Sequence, residues 1–267
     1  MTISITMKNN LQKAFKLLAI VLFWVGVWAL AAHLVAKPLL LPSPLAVLRR
    51  LFELLQTKEF YLTTARSIWN VLSGIVIAVL LGCVLSALTS RISLLRDLLL
   101  PIMTVIKTTP VASFIILLLI WIGSSSVPTL ITVLIVLPLI WTNLDVGYSK
   151  IDPQLSEVAR VYRLSYLKKL RVLILPSLRP YFVSACRSSL GLAWKAGIAA
   201  EIIAMPRGTI GTMIGDAKQY INTTDMFAWT LTVVLLSLLI EYVFSAFFAK
   251  KDTFTSQKEQ EESYAEN

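Results

Sequence analysis

Six stretches of predominantly apolar residues dominate this chain, at 17–36, 67–88, 98–122, 127–141, 181–205 and 227–249. About 20 such residues make a helix long enough to cross the roughly 30 Å hydrocarbon core of a bilayer. The pattern therefore predicts an all-α, polytopic membrane protein with about six transmembrane helices. The 127–141 run is short, so its helix must extend into neighbouring residues. The 98–122 run contains Lys107-Thr108-Thr109-Pro110, and a proline there bends or interrupts the helix. There is no strand pattern and no internal repeat.

Composition agrees with lipid as the solvent. Of 267 residues, 57% are hydrophobic and 15% charged, with a mean hydropathy of +0.75. A soluble domain carries about a quarter charged residues. The net charge of +10 could suggest nucleic acid. However, the basic residues lie between the apolar runs rather than on a polar domain, which excludes nucleic acid in favour of membrane orientation.

Lys and Arg also set the topology. One side of the six runs carries fifteen, the other seven, and three lie within runs. By the positive-inside rule both termini are cytoplasmic. The first run follows Lys8, Lys13 and Lys16, like a signal peptide, but it is long enough to span and has no clear cleavage site. It reads as a retained first span. The expected organisation is a cytoplasmic N-terminus at 1–16, a transmembrane domain at 17–249 and a polar, disordered cytoplasmic tail at 250–267.

Three further patterns bear on packing. In the external 38–66 segment, Leu45, Leu48, Leu51, Phe52 and Leu55 have helical spacing, with Arg49, Arg50 and Glu53 elsewhere on the wheel. That fits an interfacial amphipathic helix. Gly74, Ala78, Gly82 and Ser86 repeat every four residues, as do Ala185, Ser189, Ala193 and Gly197. Small residues at that spacing let helix backbones approach closely in lipid, within one chain or between two copies.

Catalytic chemistry is not indicated. The sequence has no G-x-x-x-x-G-K-[ST] phosphate loop, no H-E-x-x-H and no C-x-x-C. His33 is the single histidine and sits at a run end, so neither a Ser-His-Asp set nor a metal site is expected. Cys83 and Cys186 lie inside apolar runs and read as small buried hydrophobes. The chain is not expected to be an enzyme or to hold a cofactor.

The most informative segment is the basic loop at about 150–180. Leu155, Val158 and Tyr162, then Leu167, Leu170 and Ile174, are apolar at helical spacing, and the phase breaks near Arg163-Leu164-Ser165. Two short helices with a turn are predicted, Ser165 capping the second and Pro176 ending or redirecting it. Such a hairpin suits either an anionic lipid surface or a cytoplasmic protein partner.

This loop resembles the cytoplasmic motif of integral membrane subunits of binding-protein-dependent ABC importers: E-A-A, three residues, G, nine residues, I-x-L-P. Here that register reads Glu157-Val158-Ala159, then Arg163, then Leu173, Leu175 and Pro176. Val158 and Leu173 are mild departures. Arg163 in place of the glycine is a larger one: if the turn needs φ > 0, Arg163 must adopt it at about 1–2 kcal/mol, or the turn shifts toward Ser165. "LLPSPLAVLRRLFELL", "PIMTVIKTTPVASFIILLLIWIG" and "GLAWKAGIAAEIIAMPRGTIGTMI" resemble the branch importing nitrate, sulfonates, taurine and thiamine-precursor pyrimidines. The resemblance covers roughly residues 40–250.

It implies a permease subunit in a bacterial inner membrane. Two copies would form the pathway, and two separate ATPase subunits, which bind the ATP and Mg, would grip the Glu157 loop. An extracytoplasmic binding protein would deliver a sulfonate, taurine or nitrate-like anion, or alternatively a pyrimidine. A stand-alone secondary transporter would also have spans, but gives no reason for the Glu157 register.

Charges within spans are costly and need a partner, water or a solute. Lys107 beside Pro110, Arg187, Lys195 and Glu201 are the pathway candidates. Arg187 and Lys195, eight residues apart, lie on roughly one helix side. Internal pairing of the cations with Glu201, Glu241 or an unpaired backbone carbonyl, together with snorkelling of Arg187, is the competing reading. Trp121, Trp141, Trp194 and Trp229 read as packing or interface anchors rather than stacking platforms.

Overall fold

The structure is a computed structural model that describes the backbone of residues 2–265 and the side chains of residues 15, 16 and 18–246. The side chains of Lys8, Lys13 and the 250–267 tail, on which part of the topology count rests, lie outside the described residues. The chain is helical, in the order α1 (Thr2–Val35), α2 (Pro44–Leu55), α3 (Lys58–Thr89), α4 (Ser93–Thr108), α5 (Val111–Ile122) and α6 (Val127–Ser149). There follow α7 (Pro153–Val161), α8 (Tyr166–Lys169), a π segment (Leu170–Ile174), α9 (Leu175–Ala204), α10 (Ile210–Gln219) and α11 (Thr223–Ala265).

Among the described residues, four helical segments are long and apolar enough to cross a bilayer: Leu18–Val35, Lys58–Thr89, Val127–Ser149 and Thr223–Ala246. The expected 98–122 span is not one straight helix. It divides into α4 and α5, bent by 104°. Pro110 explains the break, because the residue before a proline is pushed out of the α region, and Thr109 is extended at φ −74°, ψ 134°. At 1.5 Å per residue the halves reach roughly 24 Å and 18 Å, each short of the hydrocarbon core. Helix α9, with 30 residues, has the length but carries Arg179, Arg187, Lys195 and Glu201. A count of six therefore requires the α4–α5 pair as one broken span and α9 as a span despite its charges.

The chain divides into two compact units, Met1–Tyr61 with Met213–Thr232, and Leu62–Thr212 with Val233–Asn267. In the first, Ser43 caps α2 by accepting from Ala46 N at 3.3 Å, and Pro44 occupies the first helical turn. Arg50 of α2 makes a two-pronged ion pair with Asp225, Nη2 to Oδ2 at 3.1 Å. This contact outweighs the opposing burial and raises the guanidinium above its ordinary value. Phe60 stacks on Trp229 at 5.2 Å, and Trp28 on Phe227 at 5.9 Å. The buried face of α2 is Val47, Leu51 and Leu54. Leu45, Leu48 and Phe52 stay exposed. The expected single apolar stripe is thus divided, because one side of α2 packs on its own unit.

In the second unit, α3, α6 and α9 pack along the two small-residue ridges. A Cβ on Gly74 would lie 2.6 Å from Thr132 Cβ, and one on Gly82 2.7 Å from Ile140 Cγ2. A Cβ on Gly197 would lie 2.6 Å from Val71 Cγ2. Ala78, Ala185 and Ala193 are fully buried and Ser86 and Ser189 nearly so. Both ridges therefore serve packing within this chain. Trp141 and Trp194 are buried, donating to Thr89 Oγ1 at 3.2 Å and Val233 O at 3.1 Å. Ile115, Val127, Ile131, Ala200 and Ala204 form an apolar core beside this seam.

The 250–267 tail, expected to be disordered, continues α11 as helix through Ala265. No Gly or Pro occurs between Thr223 and Ala265, and the tail is rich in Lys, Glu and Gln, which favour helix.

Candidate functional site

The Glu157 loop is built by ordinary capping rules. Asp152 caps α7 by accepting from Gln154 N at 2.8 Å, with Pro153 at the first helical position. The helix then ends in a Schellman motif: Leu164 N donates to Ala159 O and Arg163 N to Arg160 O, both at 3.0 Å. Arg163 occupies the left-handed position of that motif at φ +48°. The turn has not shifted to Ser165; the arginine adopts the conformation a glycine takes freely. Ser165 starts α8 by backbone geometry, without the expected side-chain capping bond.

Pro176 does not end the helix. Residues 166–204 form one continuous helical path, and the π segment Leu170–Ile174 ends two residues before the proline. Wider i→i+5 spacing there leaves room for a ring that clashes with an α-helical carbonyl.

The motif residues divide by burial. Ala159 and Leu173 are 5% and 8% exposed and anchor the loop. Glu157 and Arg163 are exposed. Leu155, Val158, Val161, Tyr162, Leu167 and Leu175 add an exposed apolar surface around them. Pro176 is exposed beside Leu175.

The charged span residues also separate. Lys107 donates to Thr142 Oγ1 of α6 at 2.6 Å, just before the Pro110 break. Arg187 and Lys195 are exposed on α9, on the side away from its buried Ala185, Ser189, Ala193 and Gly197. Among the described residues neither has a carboxylate within ion-pair distance. The Glu241 carboxylate does approach α9 at Gly191, one turn from each, where a Cβ would lie 3.0 Å from its Oε1.

Glu201 does not pair with Lys195. It is fully buried and accepts from Ser67 Oγ at 2.7 Å, Asn70 Nδ2 at 3.0 Å and Gly211 N at 3.2 Å. Ser67 Oγ in turn accepts from Ile210 N at 2.9 Å. Six residues of helix place Lys195 and Glu201 on different sides of α9. Ser67, Asn70 and Gly211 are absent from the sequence-based candidates. Ser67 and Asn70, three apart within an apolar run, were the available signal.

Residues 74–251 match the family of binding-protein-dependent transport system inner membrane components. This chain belongs to that family. It is a multi-pass inner-membrane permease of a binding-protein-dependent ABC importer.

Its relatives include the taurine transport system permease protein TauC of Escherichia coli (strain K12), 27% identical over 221 residues, covering 80% of each chain. SsuC of Bacillus subtilis (strain 168), provisionally named for aliphatic sulfonates transport, is 26% identical over 81% of this chain and 79% of its own. Among solved structures, a chain of the MetNI methionine ABC transporter, from inward-facing conformations, aligns with a TM-score of 0.55 and 18% identity. The alignment covers 72% of this permease and 97% of that chain. This last likeness bears on fold alone.

Proposed function

We propose that two copies of this permease form the pathway for a small solute bearing a sulfonate or similar oxyanion. The observation that carries the reading is the side of α9 opposite its packing ridge, where Arg187 and Lys195 are exposed, with no carboxylate among the described residues within ion-pair distance. A desolvated cation in a span is costly, and an anionic solute in a watered pathway offsets that cost. The relatives named for taurine and for aliphatic sulfonates support the same solute chemistry. Lys107, Pro110 and Glu201 act at its margin: Pro110 sets the α4–α5 break, Lys107 ties α4 to α6 through Thr142, and Glu201 holds α9 to α3.

The driving machinery is a pair of partner ATPase subunits. They receive the exposed Glu157, Val158 and Tyr162 surface, while Ala159 and Leu173 transmit its movement into α9. An extracytoplasmic binding protein delivers the solute, and both permease termini face the cytoplasm.

The test is reconstitution of the permease, its ATPase and its binding protein in proteoliposomes. Labelled taurine should enter only when all three and ATP are present. Uptake by the permease alone on an ion gradient overturns the coupling. Uptake of a pyrimidine but no oxyanion overturns the solute class and leaves the permease role intact.

A further inference from the structure

A polar cavity lies away from the α9 stripe, where the α3–α4 turn, the end of α6 and the Glu157 loop meet. Its volume is about 770 Å³, within the range of small-molecule sites. Three cations line it: Arg91, Arg96 and Lys169. Among the described residues its one acid is Asp145, already paired with Arg96 at 2.8 Å. Arg91 lies 4.5 Å above the ring of Tyr166, which positions the guanidinium without neutralising it. Among the described residues neither Arg91 nor Lys169 has a carboxylate within ion-pair distance. The cavity therefore holds a surplus of two positive charges.

A second observation is independent of these side chains. Ser93, the first residue of α4, also lines the cavity. This 16-residue helix has no side-chain cap: its N-cap is Ile92, and no capping hydrogen bond is made. The first-turn N–H groups of a helix are orphan donors, and the helix dipole favours negative charge there.

We propose that this cavity binds a phosphate oxyanion, bridging Arg91 and the α4 N-terminus on one side to Lys169 on the other. The phosphate is supplied by an anionic phospholipid headgroup or by a free phosphate. A bound anion would tie the α3–α4 turn to α8, and so restrain the loop that carries Glu157. The binding claim does not depend on the proposed ATPase partner, because it can be tested on the full-length permease alone.

The experiment measures thermal unfolding of the purified chain in a neutral detergent. The probes are dioleoylphosphatidylglycerol, dioleoylphosphatidylcholine and inorganic phosphate, at matched ionic strength. A rise of several degrees with phosphatidylglycerol but not phosphatidylcholine is expected, falling by more than half in R91Q/K169Q. The exposed control R49Q should keep the full shift. Phosphatidylglycerol acting alone identifies the lipid headgroup as the source; an equal rise with inorganic phosphate identifies the free ion. If R91Q/K169Q does not fold, K169Q is measured in its place, with a reduced shift expected. No shift with either phosphate probe, an undiminished shift in the cavity variant, or an equal loss in R49Q overturns the proposal.

Discussion

The carboxylate of Glu201 lies 2.7 Å from the hydroxyl of Ser67, joining α9 to α3 across 134 residues of sequence. Asn70 and the Gly211 amide complete its shell. Glu201→Ala leaves two buried donors, Ser67 Oγ and Gly211 N, and the half-buried Asn70 amide without their acceptor, and opens a cavity. A loss of about 3 kcal/mol is expected. Glu201→Gln keeps the shape and one acceptor oxygen, so about 1 kcal/mol is expected. Unfolding of both variants in detergent checks the order; equal stability to the parent would refute a structural role for the network.

Gly74 tests the packing of α3 on α6. An added methyl would lie 2.6 Å from Thr132 Cβ and 2.7 Å from the Thr129 carbonyl oxygen. Backbone cannot rotate aside as a side chain can, so Gly74→Ala should lower stability by about 1–3 kcal/mol. Gly26 in α1 has nothing within 4 Å of the same position. Gly26→Ala should be neutral or slightly stabilising by helix propensity. Equal melting of the two variants would contradict the close α3–α6 approach.

These two sites show what a sequence can and cannot disclose. The Gly74 and Gly197 ridges are legible because close packing in lipid demands small residues at a fixed spacing. The break at Pro110 is legible for an equally local reason. The Glu201 shell is not, since Ser67 and Asn70 come from a helix more than 130 residues earlier and hydrogen bonding leaves no periodic trace. Pro176 misleads because the rule that proline ends a helix assumes α-helical spacing, and the π segment relaxes it. In α2, hydropathy identifies a helix with apolar residues on more than one side. Only the fold decides that Val47, Leu51 and Leu54 turn inward.

Arg163 holds φ +48° at the end of α7. For an L-residue with a Cβ, that conformation costs about 1–2 kcal/mol. Arg163→Gly should therefore raise stability by about 1 kcal/mol, the gain reduced by glycine's freedom in the unfolded chain. Arg163→Val should lower it, because a β-branched residue fits this region worst. Melting curves of the pair decide the matter, and a destabilised glycine variant would mean that the arginine makes a compensating contact.

Glu157 is exposed on α7 beside the exposed Val158. If this surface enters a cleft on the partner ATPase, Glu157→Ala removes one half of a charge-assisted contact. That is worth about 2–5 kcal/mol when desolvated. Co-purification of the ATPase should weaken while the permease melts as before. Unchanged co-purification and transport would show that Glu157 carries no docking energy.

Lys195 offers the sharpest test of the pathway. It is exposed on α9, and Glu201 has its hydrogen bonds filled by Ser67, Asn70 and Gly211. Lys195→Met keeps length and apolar volume while deleting the charge. Because no carboxylate among the described residues lies within ion-pair distance, the variant should melt like the parent and still assemble. If Lys195 meets an anionic solute, oxyanion uptake should fall by at least tenfold, the loss of about 1.4 kcal/mol of interaction in the transport cycle. The Glu241 carboxylate approaches this part of α9 at Gly191. If Lys195 swings to pair with it in the membrane, Lys195→Met strands that carboxylate and stability drops. Lys195→Met combined with Glu241→Gln would then recover stability. A stable, transport-deficient single variant supports the pathway role; an unstable one rescued by the second substitution assigns Lys195 to helix packing instead.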